Sequence, residues 1–296
     1  ILMHYLAIVS LIWAFSFGLI GNSLSGLDPI FVAAARLGIA SLIFLPFLRL
    51  SVLPEGSCLR LMICGGLQFG VMYLCYIKAF QYIPSHLVAL FSILTPLYVV
   101  LIHDLREARF NRKFLYASVL SIIGAAVIRL EPEVSGSVWK GFLLMQFAGL
   151  SFGFGQVEYR RWKRSKPQIK DHQVFALLLV GGFVVAGAAS AFLTDRSSVQ
   201  INADQCRVLL YLGLVASGIG FFLWNKGAAL CRTGTLAAFN NAVVPLAMAC
   251  SIFIFGELDE VTAITLVRLS LGALCITGAV FLAEYTPFNG RPYLKD

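Results

Sequence analysis

Four basic residues, Arg36, Lys78, Lys226 and Arg268, fall inside long apolar stretches of this chain, and no acidic residue falls comparably deep. An ionisable group in such a setting is costly. It marks a bundle interior, a water-filled path, or a long side chain that snorkels to an interface. Asp104, Glu107, Glu158, Glu257 and Glu284 stand at the ends of the stretches or beyond them, as do His4, His86, His103 and His172. Fixed positive charge with no deep acid favours a substrate bearing a carboxylate or another anionic group. Proton coupling through a buried carboxylate is not expected.

Polar and aromatic residues in the same stretches complete a candidate substrate site. They are Trp13, Arg36, Gln68, Tyr76, Lys78, Gln146, Gln156, Trp224, Asn225, Lys226, Asn240 and Asn241. Amides offer both donors and an acceptor, so they serve a carboxylate or an ammonium equally. For each amide the competing role is a hydrogen bond between helices, and for Trp13 it is packing or interfacial anchoring. Residues 149–153 read Gly-Leu-Ser-Phe-Gly, formally a GxSxG, but a nucleophile elbow needs a strand–turn–helix setting and His and acid partners. The same residues form a GxxxG, as do Gly66 and Gly70, a spacing that lets helix backbones approach closely. The seven cysteines show no CxxC or Cys/His spacing and read as packing residues. Neither a metal, a cofactor nor a catalytic constellation is expected.

The elements that carry these residues follow from composition. Hydrophobic residues make up 59% of the 296 and charged ones 13%, against about 25% charged in soluble domains. Lipid must therefore solvate much of the surface. A hydrocarbon core needs roughly 20 apolar residues per helix. Ten stretches qualify: 5–22, 29–48, 59–80, 86–103 and 114–130, then 139–158, 174–193, 208–230, 235–255 and 261–282. With the N-terminus inside, fifteen of the 23 Lys and Arg fall in inner loops and tails and four outside. The outer four are Arg129, Lys140, Arg196 and Arg207. That bias puts both termini in the cytoplasm. The net charge of +8, including the run 160–170, is then a topology signal rather than a nucleic-acid surface.

The stretches repeat after the fifth. Segment 79–96, AFQYIPSHLVALFSILTP, lies over 228–245, AALCRTGTLAAFNNAVVP, and each ends in a proline, Pro96 or Pro245. Eleven or twelve residues on stands Glu107 or Glu257. Each proline falls about 15 Å into its span, where a freed carbonyl is tolerated only beside protein or a water-filled cavity. Both prolines are therefore expected hinges. Residues 12–18, IWAFSFG, echo 149–155, GLSFGFG. A unit with an odd number of spans is inverted in its second copy. The expected fold is all-α and polytopic: ten transmembrane helices as two inverted five-helix repeats, 1–130 and 131–296.

In the order of these features, with Trp13 in LIWAFSF, Arg36 in AAARLGIA and a Y-x-x-A…P…E arrangement around the fourth and ninth spans, the chain resembles the EamA branch of the drug/metabolite transporter superfamily. The likeness covers nearly the whole chain. It implies a ten-helix carrier of the bacterial inner membrane, the first four helices of each half around a cavity and helices five and ten at the periphery. Two departures stand out. Residues 103–107, HDLRE, replace the usual glycine–glutamate pair kept at Gly256-Glu257, and Arg36 has no equivalent in the seventh span. The resulting expectation is a secondary transporter of small amphipathic metabolites, amino acids or their derivatives first, working by alternating access. The alternative is a carrier of bulkier S-adenosyl or nucleotide-linked compounds, with a membrane-embedded enzyme or scaffold behind it. The expected partners are lipid and a carboxylate-bearing small molecule. No nucleic acid is expected, and nothing in the sequence indicates a homo-oligomer.

Overall fold

Residues 4–24, 26–83, 88, 91–108, 110–128, 138–195, 199–254 and 263–284 are described by the computed structural model. Among them the chain is helix and turn, without strand. His86, Arg109, Arg129, Arg196, the segment 255–257 with Glu257, Arg291 and Lys295 lie outside the described residues.

The helices are α1 (His4–Ser23), α2 (Pro29–Phe44), α3 (Ser57–Ala79), α4 (Thr95–Glu107) and α5 (Arg112–Ile128), then α6 (Val138–Ser165), α7 (Phe175–Leu193), α8 (Ala203–Leu230), α9 (Thr233–Phe253) and α10 (Ala263–Glu284). Five stretches, Pro29–Phe47, Ser57–Ala79, Phe175–Leu193, Ala203–Leu230 and Leu266–Ala283, are long and apolar enough to cross a membrane, and His4–Ile20 is a shorter apolar helix. Helices apolar all round belong in a large core or a bilayer. Their ends follow ordinary capping chemistry. Asp28 accepts from the Phe31 amide at 2.7 Å with Pro29 behind it, and Thr194 at the end of α7 donates to the same carboxylate at 2.7 Å. Asn202 and Gln205 form a reciprocal box at the start of α8.

Packing relies on bare backbone. A Cβ on Gly65 would stand 1.9 Å from the Leu178 carbonyl oxygen, and one on Gly181 2.0 Å from that of Met62, so α3 and α7 touch main chain to main chain. Helices α8 and α2 meet side chain to backbone, a Cβ on Gly213 standing 2.7 Å from the Ile39 side chain and one on Gly218 2.6 Å from that of Ile43. The expected GxxxG approaches are found: Gly66 and Gly70 face α7, and Gly149 and Gly153 face Thr95, Tyr98 and Val99 of α4. Helices α5 and α10 pack on each other, with Gly124 against Cys275, and α10 shows exposed Ile264, Leu266, Val267 and Leu274.

Two regions depart from regular α-helix in matching places. Gly66–Val71 of α3 and Leu212–Ile219 of α8 are π-helical, a geometry that often marks functional sites. The two prolines sit in different local settings. Pro245 lies inside α9, but Pro96 lies in the first turn of α4, after a 3-10 turn over Ser92–Leu94. There its missing N–H costs nothing. Phe91 ahead of that turn is helical as well, so the chain runs helically past Pro96 with its hydrogen-bond register changing just before it.

Candidate functional site

A cavity of about 120 Å3 lies between the helices, walled by α1, α2, α3, α4, α6, α8 and α9. It extends toward the end of the bundle where α1 and α3 finish and α2, α4 and α6 begin. Trp13 and Phe17, Tyr73 and Tyr76, Phe152 and Phe221 make most of the wall aromatic; Ser16, Thr95 and Asn240 add polar groups. The described lining contains one charged residue, Arg36, which is 2% exposed.

The Arg36 guanidinium sits over the Tyr73 ring, 4.6 Å from its centroid. Its Nη2 donates to the Tyr73 hydroxyl at 2.6 Å and its Nε to the Ser217 hydroxyl at 3.3 Å. Nη1 is buried and has no hydrogen-bond partner. With hydroxyls rather than a carboxylate as partners, the cation is held without being neutralised.

Below the cavity the bundle closes. Trp13 packs on Trp224 at 4.7 Å and on Phe221 at 5.7 Å, and its Nε1 donates to the Ala216 carbonyl at 2.9 Å. Trp224 donates to Gln156 at 3.1 Å, and Gln156 and Asn240 pair amide to amide at 3.2 and 3.3 Å. Gln68 of α3 donates to Asn225 of α8 at 3.0 Å. Farther along, Glu158 forms an ion pair with Arg106 at 2.6 Å and accepts from Arg60 at 3.4 Å, joining α6 to α4 and α3. Arg160 donates to Thr233 and to the Cys231 carbonyl, pinning the α8–α9 turn.

Of the residues expected at the site, Trp13, Arg36, Tyr76 and Asn240 line the cavity. Gln68, Gln156, Trp224 and Asn225 form the closed layer beneath it. Four lie elsewhere. Gln146 joins Tyr98 to the Phe91 carbonyl; Asn241 donates to the Ile93 carbonyl and Ser121; Lys226 sits 4.9 Å over the Tyr5 ring; Lys78 ends α3 half-buried, away from the cavity. Arg268 is half-buried on α10. Tyr73 and Ser217, which hold Arg36, were not singled out from the sequence. Their one signal is indirect, in that a buried guanidinium needs acceptors from neighbouring helices.

The model of the EamA-like transporter family matches residues 2–130. The biotin transporter of Salmonella typhimurium is 37% identical over 257 residues, which are 86% of this chain and 85% of that protein. The Escherichia coli biotin transporter is 37% identical over 261 residues. A probable biotin transporter of Pseudomonas aeruginosa is 36% identical over 95% of this chain and 96% of its own length. A protein known by crystal structure superposes with a TM-score of 0.76 at 16% identity, covering 96% of this chain and 97% of that one, which shows a shared fold. These relatives correct the expected substrate. Proteins aligned over most of the chain are named for a vitamin, not for amino acids, S-adenosyl compounds or nucleotide-linked compounds.

Proposed function

We propose biotin as the substrate of this chain, which belongs to the EamA-like transporter family of the drug/metabolite transporter superfamily and is a membrane transporter, not an enzyme. One observation carries the reading: the buried Arg36 guanidinium, with Nη1 unpaired, in the wall of an aromatic cavity. Biotin is a fused ureido–thioether ring system on an aliphatic chain ending in a carboxylate. Arg36 takes the carboxylate through charge-assisted hydrogen bonds. Trp13, Phe17, Tyr76 and Phe152 take the rings and chain, and Asn240 with the Ser16 and Thr95 hydroxyls takes the ureido group. Typical small-molecule sites enclose about 300–1,000 Å3, so the walls part to admit it.

The finer architecture belongs to the same proposal: ten spans in two inverted units, 1–130 and 131–296, in the bacterial cytoplasmic membrane with both termini inside. Three observations support it. The π-helical stretches overlap when 79–96 is laid over 228–245. The glycine crossing of α3 on α7 has its counterpart in α8 on α2. Lys and Arg favour the inner side by fifteen to four. Substrate enters the cavity from the end now open, and the layer of Gln68, Asn225, Gln156 and Trp224 parts to release it at the other.

Proteoliposomes holding the purified protein test the proposal with radiolabelled biotin. The expected result is saturable uptake that unlabelled biotin competes away and biotinamide competes for weakly. Absence of a saturable biotin flux overturns it.

A further inference from the structure

We infer that Tyr73 and Ser217 are positioning residues that aim Arg36, so that both halves of the chain together read the substrate's carboxylate. The inference rests on the proposal that Arg36 binds that carboxylate.

The direction of every hydrogen bond in the cluster follows from donor inventory. A guanidinium has only donors, and a serine hydroxyl has one hydrogen. The Ser217 Oγ lies 2.8 Å from the Leu212 carbonyl oxygen, which can only accept, so the serine hydrogen is committed there. Tyr73 and Ser217 hydroxyls are 2.9 Å apart; Tyr73 must therefore be the donor between them. The tyrosine oxygen then accepts from Arg36 Nη2 and the serine oxygen from Nε. Donation runs one way, from guanidinium through two hydroxyls to a backbone carbonyl.

This arrangement occupies the Nε–Nη2 edge and leaves Nη1 free. The edge is gripped from two directions, by α3 of the first half and α8 of the second, while the Tyr73 ring supports the face. Neutral acceptors fix the orientation and leave the full charge available to an anion. A carboxylate in either position would orient the guanidinium and cancel it.

The backbone of α8 explains how Ser217 reaches the cluster. The accepting carbonyl is five residues back, the register of the π-helical stretch Leu212–Ile219. In an α-helix the partner would be four residues back. Gly213 and Gly218 on either side bring α8 against α2, where Arg36 resides.

The test is competition binding to purified protein with biotin and its neutral amide, biotinamide, in wild type, Tyr73→Phe, Ser217→Ala and Arg36→Gln. Wild type prefers biotin. Tyr73→Phe and Ser217→Ala should each lower the biotin-to-biotinamide preference about tenfold, the weight of one hydrogen bond to a charged group. Arg36→Gln should abolish the preference. A role in packing alone would weaken both ligands alike and leave the ratio untouched. If Arg36→Gln loses the preference while Tyr73→Phe and Ser217→Ala keep it, the inference is wrong and the carboxylate role of Arg36 stands. If Arg36→Gln keeps it, the carboxylate role itself is wrong, and the inference falls with it. Should Ser217→Ala fail to fold, Tyr73→Phe, which removes one oxygen from an unchanged ring, decides between these outcomes.

Discussion

Arg36 combines charge, burial and an unpaired donor, and its replacement should be felt more than any other in the cavity. Arg36→Lys keeps the charge but replaces a planar fork with a point donor that cannot hold both hydroxyls. We expect biotin's KM to rise about tenfold in Arg36→Lys and further in Arg36→Gln, measured by initial uptake rates. Gln156→Leu should act differently. It strands the Trp224 indole N–H and the Asn240 amide in a buried layer, at about 1–3 kcal/mol for a buried polar group left unpaired. The expected readout is a lower Tm in detergent. The sequence pointed to Arg36 because an arginine amid apolar residues is conspicuous, and to Trp13, Tyr76 and Asn240 by residue type. It could not tell these from Lys78, Lys226, Gln146 and Asn241. In a helix apolar on every face, periodicity does not say which side meets lipid and which the cavity.

At the scale of elements, hydropathy marked apolar helices, and among the described residues five of them are long and apolar enough to cross a membrane. The π-helical stretches of α3 and α8 escaped it, because one extra residue in a turn leaves no mark on an apolar run. The prolines were found but not distinguished. Pro245 interrupts α9, whereas Pro96 begins α4. Replacing Pro245 by alanine should restore a backbone hydrogen bond, hold or raise Tm, and slow turnover; Pro96→Ala should alter turnover less. Equal effects on turnover would contradict this difference. The crossing of α3 on α7 gives a sharper prediction. Gly65→Ala places a methyl where the Leu178 carbonyl stands, and overpacking costs about 1–3 kcal/mol or more. Tm should fall by several degrees, and Gly181→Ala should do the same.

In the whole molecule, helices of residues 1–130 pack closely on helices of residues 138–284. Backbones approach where α6 packs on α8 and α2 on α3, while α1 meets α3 through the rings of Phe17 and Tyr76 at 5.7 Å and α7 meets α8 through those of Phe175 and Phe222 at 5.4 Å. At the end of α6 away from the aromatic cavity, Glu158 ties α6 to α3 and α4 beside a second hollow of about 300 Å3. Half-exposed ion pairs like those of Glu158 with Arg60 and Arg106 contribute at most about 1 kcal/mol each. Glu158→Gln should therefore loosen this end of the bundle by a few fold, seen as faster hydrogen exchange in the last turns of α6 and weaker biotin binding from the open side. Unchanged exchange there would mean that the amide layer seals the bundle alone. The proposed substrate was not legible in the sequence, because the cavity offered for it is assembled from seven helices with no local motif.

Where side chains interlock, one helix can leave another only by climbing over its ridges. At Gly65 and Gly181, and again at Gly213 and Gly218, little or nothing protrudes from one side of the crossing. These junctions join α3 to α7 and α2 to α8, and such contacts resemble plain bearings. At the first of these seams no side chain has to be unthreaded for one helix to roll on its neighbour, and at the second only Ile39 and Ile43 do, so a change of helix angle costs least along these lines.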